Sequence, residues 1–260
     1  MPRTPKACGG PTPMSLLTRC GEAKLRTTSP PSGLIGPMSE SVTVLEREVY
    51  SEAEAARLLG VSQATLHYWL EGGERRGNLY QPVIRREATG KRTVTWGEFV
   101  ESGLLRAYRK HSIPMTQLRD FISTLRDELD IPYPLAHKAP WLSRGAGLVM
   151  KAQEAVGLDP SFWLWSSGQG MLTFTGASFV ERIRWEGHIA GSYRPHDDPK
   201  SPVTVNPRIR FGRPSIGGIS TRAIFEQSEG GASVGELSKL YGLSVRDVRW
   251  ATAYEGTKAA

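Results

Sequence analysis

Six cations fall within eighteen residues: Arg75, Arg76, Arg85, Arg86, Lys91 and Arg92, opposed in that stretch only by Glu87. Guanidinium and ammonium groups at this density neutralise phosphates and release the counterions condensed on nucleic acid. Such contacts hold a polyanion in place without reading its sequence. Just upstream, Ser62, Gln63, Ala64, Thr65, His67 and Tyr68 fall on the outer face of a helix. Ser and Thr hydroxyls at a helix N-terminus can donate to phosphate, where the helix dipole also favours an anion. Gln63 could read an adenine edge, and Tyr68 could meet a phosphate or a thymine methyl. For any one of the cations, a solvated basic loop is the rival account.

The elements that must position these groups occur twice. Ser51-Glu-Ala-Glu54 and Ser233-Val-Gly-Glu236 are capping boxes, each opening a helix. Gly60-Val61-Ser62 and Gly242-Leu243-Ser244 end those helices and begin new ones. The glycine takes the left-handed conformation that a tight helix–helix turn requires. In the first copy, small Ala56 sits where the two helices approach. Ala55, Leu59, Val61, Leu66 and Trp69 occupy the buried positions. In the second copy Ser238 takes the small position, and Leu237, Tyr241, Leu243, Val248 and Ala251 the buried ones. Its second helix exposes Arg246, Arg249 and Trp250, balanced by Asp247 and Glu255. DNA and protein are both open as its partner, and an exposed Trp tilts the reading towards protein.

Around these helices the patterning predicts an α+β chain, mainly helical. Residues 1–41 form a basic Pro/Gly-rich tail expected to be disordered, with Met38 as an alternative start. Residues 42–132 form a winged helix-turn-helix, with helices at 51–59 and 63–71. Strands at 80–86 and 92–96 flank Ala88-Thr89-Gly90 as a hairpin wing. Helical spacing follows at Phe99, Val100, Leu104 and Tyr108. It resumes after Pro114 at Leu118, Phe121, Ile122, Leu125 and Leu129, until Pro132 and Pro134 intervene. Residues 133–202 form a small α+β module. Its expected parts are a hairpin at 162–165 and 171–174, a short helix containing Phe179, Val180 and Ile183, and a strand at 189–193. Residues 203–260 form a three-helix unit, with helices at 221–229, 234–241 and 245–254.

At 260 residues, 39% hydrophobic and 23% charged, the chain has the composition of a soluble globular protein. A net charge of +7 and a pI near 9.5 favour a polyanionic partner. No apolar run is long enough to span a membrane, and Leu16-Leu17 is too short for a secretory signal. The cysteines, Cys8 and Cys20, both lie in the tail, so the body holds no disulfide framework or thiolate metal site. A cytoplasmic location fits. His196-Asp197-Asp198 reads as a solvated turn, and Gly212-Arg-Pro-Ser-Ile-Gly-Gly218 lacks the ending of a phosphate loop. His67, His111, His137 and His188 are scattered, with no nucleophile motif nearby. Phe162, Trp163, Trp165 and Phe174 suit core packing, with an apolar partner-binding face as the alternative. No catalytic residue, cofactor or metal is expected.

Residues 50–130, wing and following helix included, resemble the DNA-binding domain of MerR-type regulators. Residues 203–256 resemble the small C-terminal domain of a family of VapB-type antitoxins. The matching words are Val205-Asn-Pro-Arg208, Phe211-Gly-Arg-Pro214, Gly218-Ile-Ser-Thr-Arg222 and Tyr241-Gly-Leu-Ser-Val-Arg-Asp-Val248. The resemblance implies an antitoxin of a type II toxin–antitoxin pair. Its partners would be a cognate PIN-like ribonuclease toxin, a second copy of itself, and the operator DNA through which it represses its own operon. The sequence lacks the long dimerisation helix and the cysteine or aromatic pocket of effector-sensing MerR members, which argues against metal or drug sensing. Two other readings stay open: a stand-alone MerR-like regulator, and an interaction scaffold in which neither repeat touches DNA.

Overall fold

A computed structural model describes residues 44–75, 77–110, 113–138, 152, 154–157, 165–166, 169–170 and 179–259. The tail with both cysteines, Arg76, His111 and most of the expected 162–174 hairpin lie outside these.

Strand β1 (Glu48–Ser51) runs directly into helix α1 (Glu52–Leu59). The Ser51 hydroxyl accepts from the Glu54 amide, and the Glu54 carboxylate accepts from the Ser51 amide, so the capping box forms as expected. Gly60 ends α1 at φ 65°, and α2 (Gln63–Glu71) starts under a Ser62 cap. A tight hairpin, β2 (Gly73–Arg75) with β3 (Asn78–Tyr80), follows at once. Strand β4 (Thr93–Thr95) then leads into α3 (Trp96–Lys110), and α4 (Met115–Leu129) comes next. Helix α4 ends at Asp130, which adopts a left-handed conformation ahead of the two prolines.

The hairpin expected from 80–86 and 92–96 does not form. Residues 81–92 contain no strand, and β4 pairs antiparallel with β1 instead. Pro82, Val83, Ile84 and Arg85 are buried in succession, whereas a half-buried strand alternates. The amides of Val83 and Ile84 both donate to the Trp69 carbonyl, at 2.9 and 3.0 Å, and so cap the end of α2 rather than a ladder.

Strands β5 (Trp165–Ser166) and β6 (Gln169–Gly170) pair antiparallel. Strands β7 (Ile183–Glu186) and β8 (Ile189–Tyr193) form the main hairpin of the central region. Ile183, expected on a helix, faces Tyr193 across this hairpin. Strands β9 (Ser215–Ile216) and β10 (Ile219–Ser220) precede α5 (Thr221–Glu229), α6 (Val234–Tyr241) and α7 (Val245–Ala259). These three helices start where the patterning places them, and α7 continues beyond the expected end. The described chain is thus α+β, with helices carried among two-stranded antiparallel sheets. Among the described residues, no helix is long and apolar enough to cross a membrane.

Two hydrophobic clusters hold the fold. The larger runs from Val44 to Val205 and centres on α3. There the Phe99 ring lies 4.9 Å from Tyr50, 5.4 Å from Trp96 and 5.8 Å from Tyr193. The Trp96 indole N–H donates to the Ala190 carbonyl at 2.5 Å. The β7–β8 hairpin therefore shares one core with the N-terminal helices. The smaller cluster joins Val203, Ile216, Ile224, Leu237, Val248, Ala251 and Tyr254.

One carboxyl is enclosed in the larger core. Glu101 accepts from the Leu135 amide at 3.2 Å and from Arg126 at 3.4 Å, and Arg126 also donates to the carbonyls of Ile84 and Pro132. Burial pushes the Glu101 carboxyl up to about 7, against the opposing pull of Arg126 and the Leu135 amide. The folded chain holds this proton more tightly than the unfolded chain does. The contribution of Glu101 to stability is therefore full below the unfolded value of 4.5 and falls as pH rises towards about 7. Urea unfolding across that interval should show wild-type stability declining relative to Glu101→Gln. Parallel pH profiles for the two proteins would refute this assignment.

Candidate nucleic-acid interface

Helix α2 presents the residues singled out for base and phosphate contact. Leu66, Trp69 and Leu70 are buried, as are Ala55, Ala56 and Leu59 of α1, so the opposite face of α2 is turned outward. Ser62, Gln63 and Ala64 are exposed, while Thr65, His67 and Tyr68 are half-buried. Ser62 accepts from the Thr65 amide at 3.1 Å, and the two hydroxyls share a hydrogen bond of 2.8 Å. That cap satisfies one of the free donors at the start of the helix.

The lower part of this face is tied down by charge. Glu52 is only 1% exposed, yet it accepts from His67 Nδ1 at 2.8 Å and from Arg92 at 3.0 Å. Burial alone pushes the Glu52 carboxyl up. The hydrogen bonds and charges of His67 and Arg92 outweigh it and hold the group below its ordinary value. Glu52 thereby fixes His67 on α2 and Arg92 from the following loop beside one another. The Arg92 side chain remains 69% exposed. At the far end of α2 the Arg75 guanidinium lies 3.9 Å from the centre of the Tyr68 ring, and Tyr80 meets that ring edge-on at 6.3 Å.

The cations expected to act together are not equivalent in the structure. Arg85 is not a surface cation but a buried tie. Nε donates to Glu98 at 2.7 Å, and Nη2 donates to the Thr93 carbonyl at 2.7 Å and to Glu98 at 3.2 Å. Nη1 donates to Glu71, to Thr89 Oγ1 at 2.7 Å and to the Lys91 carbonyl at 3.2 Å. All five guanidinium N–H groups thus have partners within the protein, and none is left for a phosphate. Arg86 and Lys91 are exposed and pair with Asp127 at 3.3 Å and with Glu48 at 2.9 Å. Exposed pairs of this kind contribute little to stability.

Sequence reasoning missed the hairpin that does follow α2. Its Asn78 and Leu79 are exposed next to Arg75, and Leu79 is 75% exposed. Gly77 was the available signal: it stands at φ 75° directly before Asn78, which pairs with Arg75, and a glycine there suits a tight hairpin turn.

The second repeat forms with its own capping box at Ser233 and Glu236 and a left-handed Gly242 at φ 63°. The Ser238 hydroxyl donates to the Leu243 carbonyl at 2.6 Å and so closes the turn. Leu237, Val248 and Ala251 are buried as expected, whereas Tyr241 and Leu243 are half-buried. Arg246 and Arg249 are exposed. Trp250 is half-buried, with its ring edge-on to His196 at 5.2 Å, so it is not the free surface aromatic expected. Glu255 is also buried, accepting from the Thr221 hydroxyl at 2.5 Å. The turn at His196-Asp197-Asp198 is structured: Asp197 pairs with Arg182, and the Asp198 amide donates to His196 Nδ1 at 3.0 Å.

Removing Arg85 would leave the buried carboxylates of Glu71 and Glu98 without their cation. Arg85→Ala should cost about 3–5 kcal/mol in urea unfolding. Arg86→Ala and Lys91→Ala should each stay within about 0.5 kcal/mol of wild type. Equal losses for all three would contradict this division into one tie and two surface cations.

No protein-family model matches the chain. It is 32% identical over 229 residues to "Uncharacterized protein Rv2308" of Mycobacterium tuberculosis, covering 82% of this chain and 93% of that protein. A crystal structure of Rv2018 from Mycobacterium tuberculosis has the same fold, with a TM-score of 0.63 at 22% identity, and the match covers 80% of this chain and 98% of that one. Identity at this level over nearly the full length of the first relative places the chain in the family of Rv2308.

Proposed function

We propose that this chain is a DNA-binding autorepressor and the antitoxin of a type II toxin–antitoxin pair. The observation that carries the DNA-binding part is the capped α2, with its polar face outward over buried Leu66, Trp69 and Leu70. In this reading α1 and α2 act as a helix-turn-helix, and Gln63, Ala64 and Thr65 enter the major groove. The β2–β3 hairpin serves as the wing. Arg75, Arg92, Lys91 and Arg86 meet phosphate, while Arg85 only holds their loop in place. In this reading two copies bind a palindromic operator as a homodimer, the usual arrangement for a helix-turn-helix reader. The toxin partner, a PIN-like ribonuclease, rests on the sequence resemblance of residues 203–256 alone.

The second repeat is assigned to protein contact. At the start of α7 the Ser244 hydroxyl donates to Asp247 at 2.7 Å, which puts a carboxylate where a phosphate would dock. Arg246 is drawn to the Lys200 carbonyl, and Trp250 is packed on His196.

Mobility shifts on DNA from the chain's own upstream region test the DNA-binding part. Gln63→Ala should weaken binding to that DNA by about 1–3 kcal/mol and relax its sequence preference. Lys91→Ala should weaken binding to all sequences alike and lower the salt dependence by about one ion. Absence of binding by the wild type at low salt would exclude the reading. Co-expression with the product of the neighbouring gene tests the toxin separately: copurification with relief of toxicity is expected, and its absence removes the antitoxin assignment.

A further inference from the structure

A cavity of about 300 Å³, open on one side, lies between α3 and the β7–β8 hairpin. Its volume is at the small end of ligand pockets, roughly 300–1,000 Å³. The floor exists because residue 103 has no side chain. A Cβ there would stand 2.3 Å from the Phe179 ring, so glycine lets that ring lie against α3. Phe179 packs in turn on Tyr193 at 5.2 Å, and Leu59 completes the apolar surface.

The charges on the walls are not balanced. Arg182 donates to the Arg194 and Pro195 carbonyls, pairs with Asp197 and lies 4.8 Å from the centre of the Tyr193 ring. Arg194 donates to the carbonyls of His196 and Pro199. Those two cations and Asp197 are thereby held by neighbouring protein groups. Arg106 and Lys110 sit one turn apart on α3 and line the same cavity. Neither has a hydrogen-bond or ion-pair partner among the described residues. Glu181 is the other carboxylate on the wall. Two unpaired cations beside an apolar floor, facing a single unpaired carboxylate, are complementary to a small anion with an apolar body.

We propose that this cavity binds a small organic anion, a carboxylate or phosphate ester with a compact apolar group. The anion rests on Arg106 and Lys110, and the apolar group lies on Leu59 and Phe179. No motif marks this site, because its walls come from segments far apart in the chain. The site stands whether or not the protein binds DNA. Its occupancy has a local reporter: a Cβ at Gly60 would meet Arg106 Nη2 at 3.0 Å, so the guanidinium lies against the α1–α2 turn.

Calorimetry on the full chain without DNA, using benzoate, phenyl phosphate and the cationic control benzylamine, tests the proposal. At least one anion should saturate at millimolar concentration and shift the amide resonances of Gly60 and Gly103, and benzylamine should not. Saturation by only one of the two anions identifies the headgroup the site takes. Arg106→Gln and Lys110→Gln should each weaken binding roughly tenfold or more. Thermal melts establish that both variants fold, and Lys110 is exposed enough for its variant to be benign. The proposal is overturned if neither anion saturates. It is equally overturned if both folded variants bind like wild type, or if benzylamine binds as well as the anions.

Discussion

The position of the outward face of α2 depends on one guanidinium. Arg85 bonds at once to Glu71 at the end of α2, to Glu98 in the first turn of α3, and to the carbonyls of Lys91 in the loop and Thr93 at the start of β4. Glu98 is also half of a capping box with Thr95, so the same carboxylate starts α3 and receives Arg85. Glu71 accepts from the amides of Thr89 and Gly90 as well. A loop without secondary structure must satisfy its backbone groups somehow. Here two buried carboxylates and one arginine do so, and the angle between α2 and α3 is set as a by-product. A lysine could not substitute, since the network uses the planar fork of five donors.

The same logic recurs, more exposed, at Glu52. Its carboxylate lies under the surface while His67 and Arg92 lie over it, each bonded to one oxygen. Side chains that would otherwise wander are thus held in register with the start of α2. Order of this kind lowers the side-chain entropy that any ligand meeting these groups would otherwise have to remove. Arg86 and Lys91 are held only by ion pairs that are themselves exposed. The region therefore has a rigid base and an adjustable rim.

Much of this was legible in the sequence where the signal is local. The two capping boxes, the two left-handed glycines and the apolar spacing located α1, α2, α5, α6 and α7, because caps and periodicity act within a few residues. The loop after α2 was misread because Arg85 among basic neighbours looks like surface. Its burial comes from Glu71 and Glu98, which lie outside the loop. Four consecutive buried residues at 82–85 also mimic a strand in composition while serving as a helix cap and a core edge. The shared core of α3 and the β7–β8 hairpin was invisible for a similar reason. The Trp96–Ala190 bond and the Phe99–Tyr193 contact join segments whose own patterns say nothing of each other.

The two repeats show how little a motif decides alone. Both have the Ser–Glu capping box, the left-handed glycine and a small residue at the helix crossing, buried Ala56 in one and half-buried Ser238 in the other. They diverge at what the second helix meets. In α2 the first turn is free of acidic residues, and cations from outside the repeat reach the middle and far end of the helix: Arg92 through Glu52, and Arg75 through Tyr68. In α7 the first turn carries Asp247, Trp250 is covered by His196, and Glu255 is buried against Thr221. The second copy thus keeps a negative charge where the first keeps none. The shared turn fixes two helices relative to each other, and the flanking charges determine which anion, if any, the pair can approach.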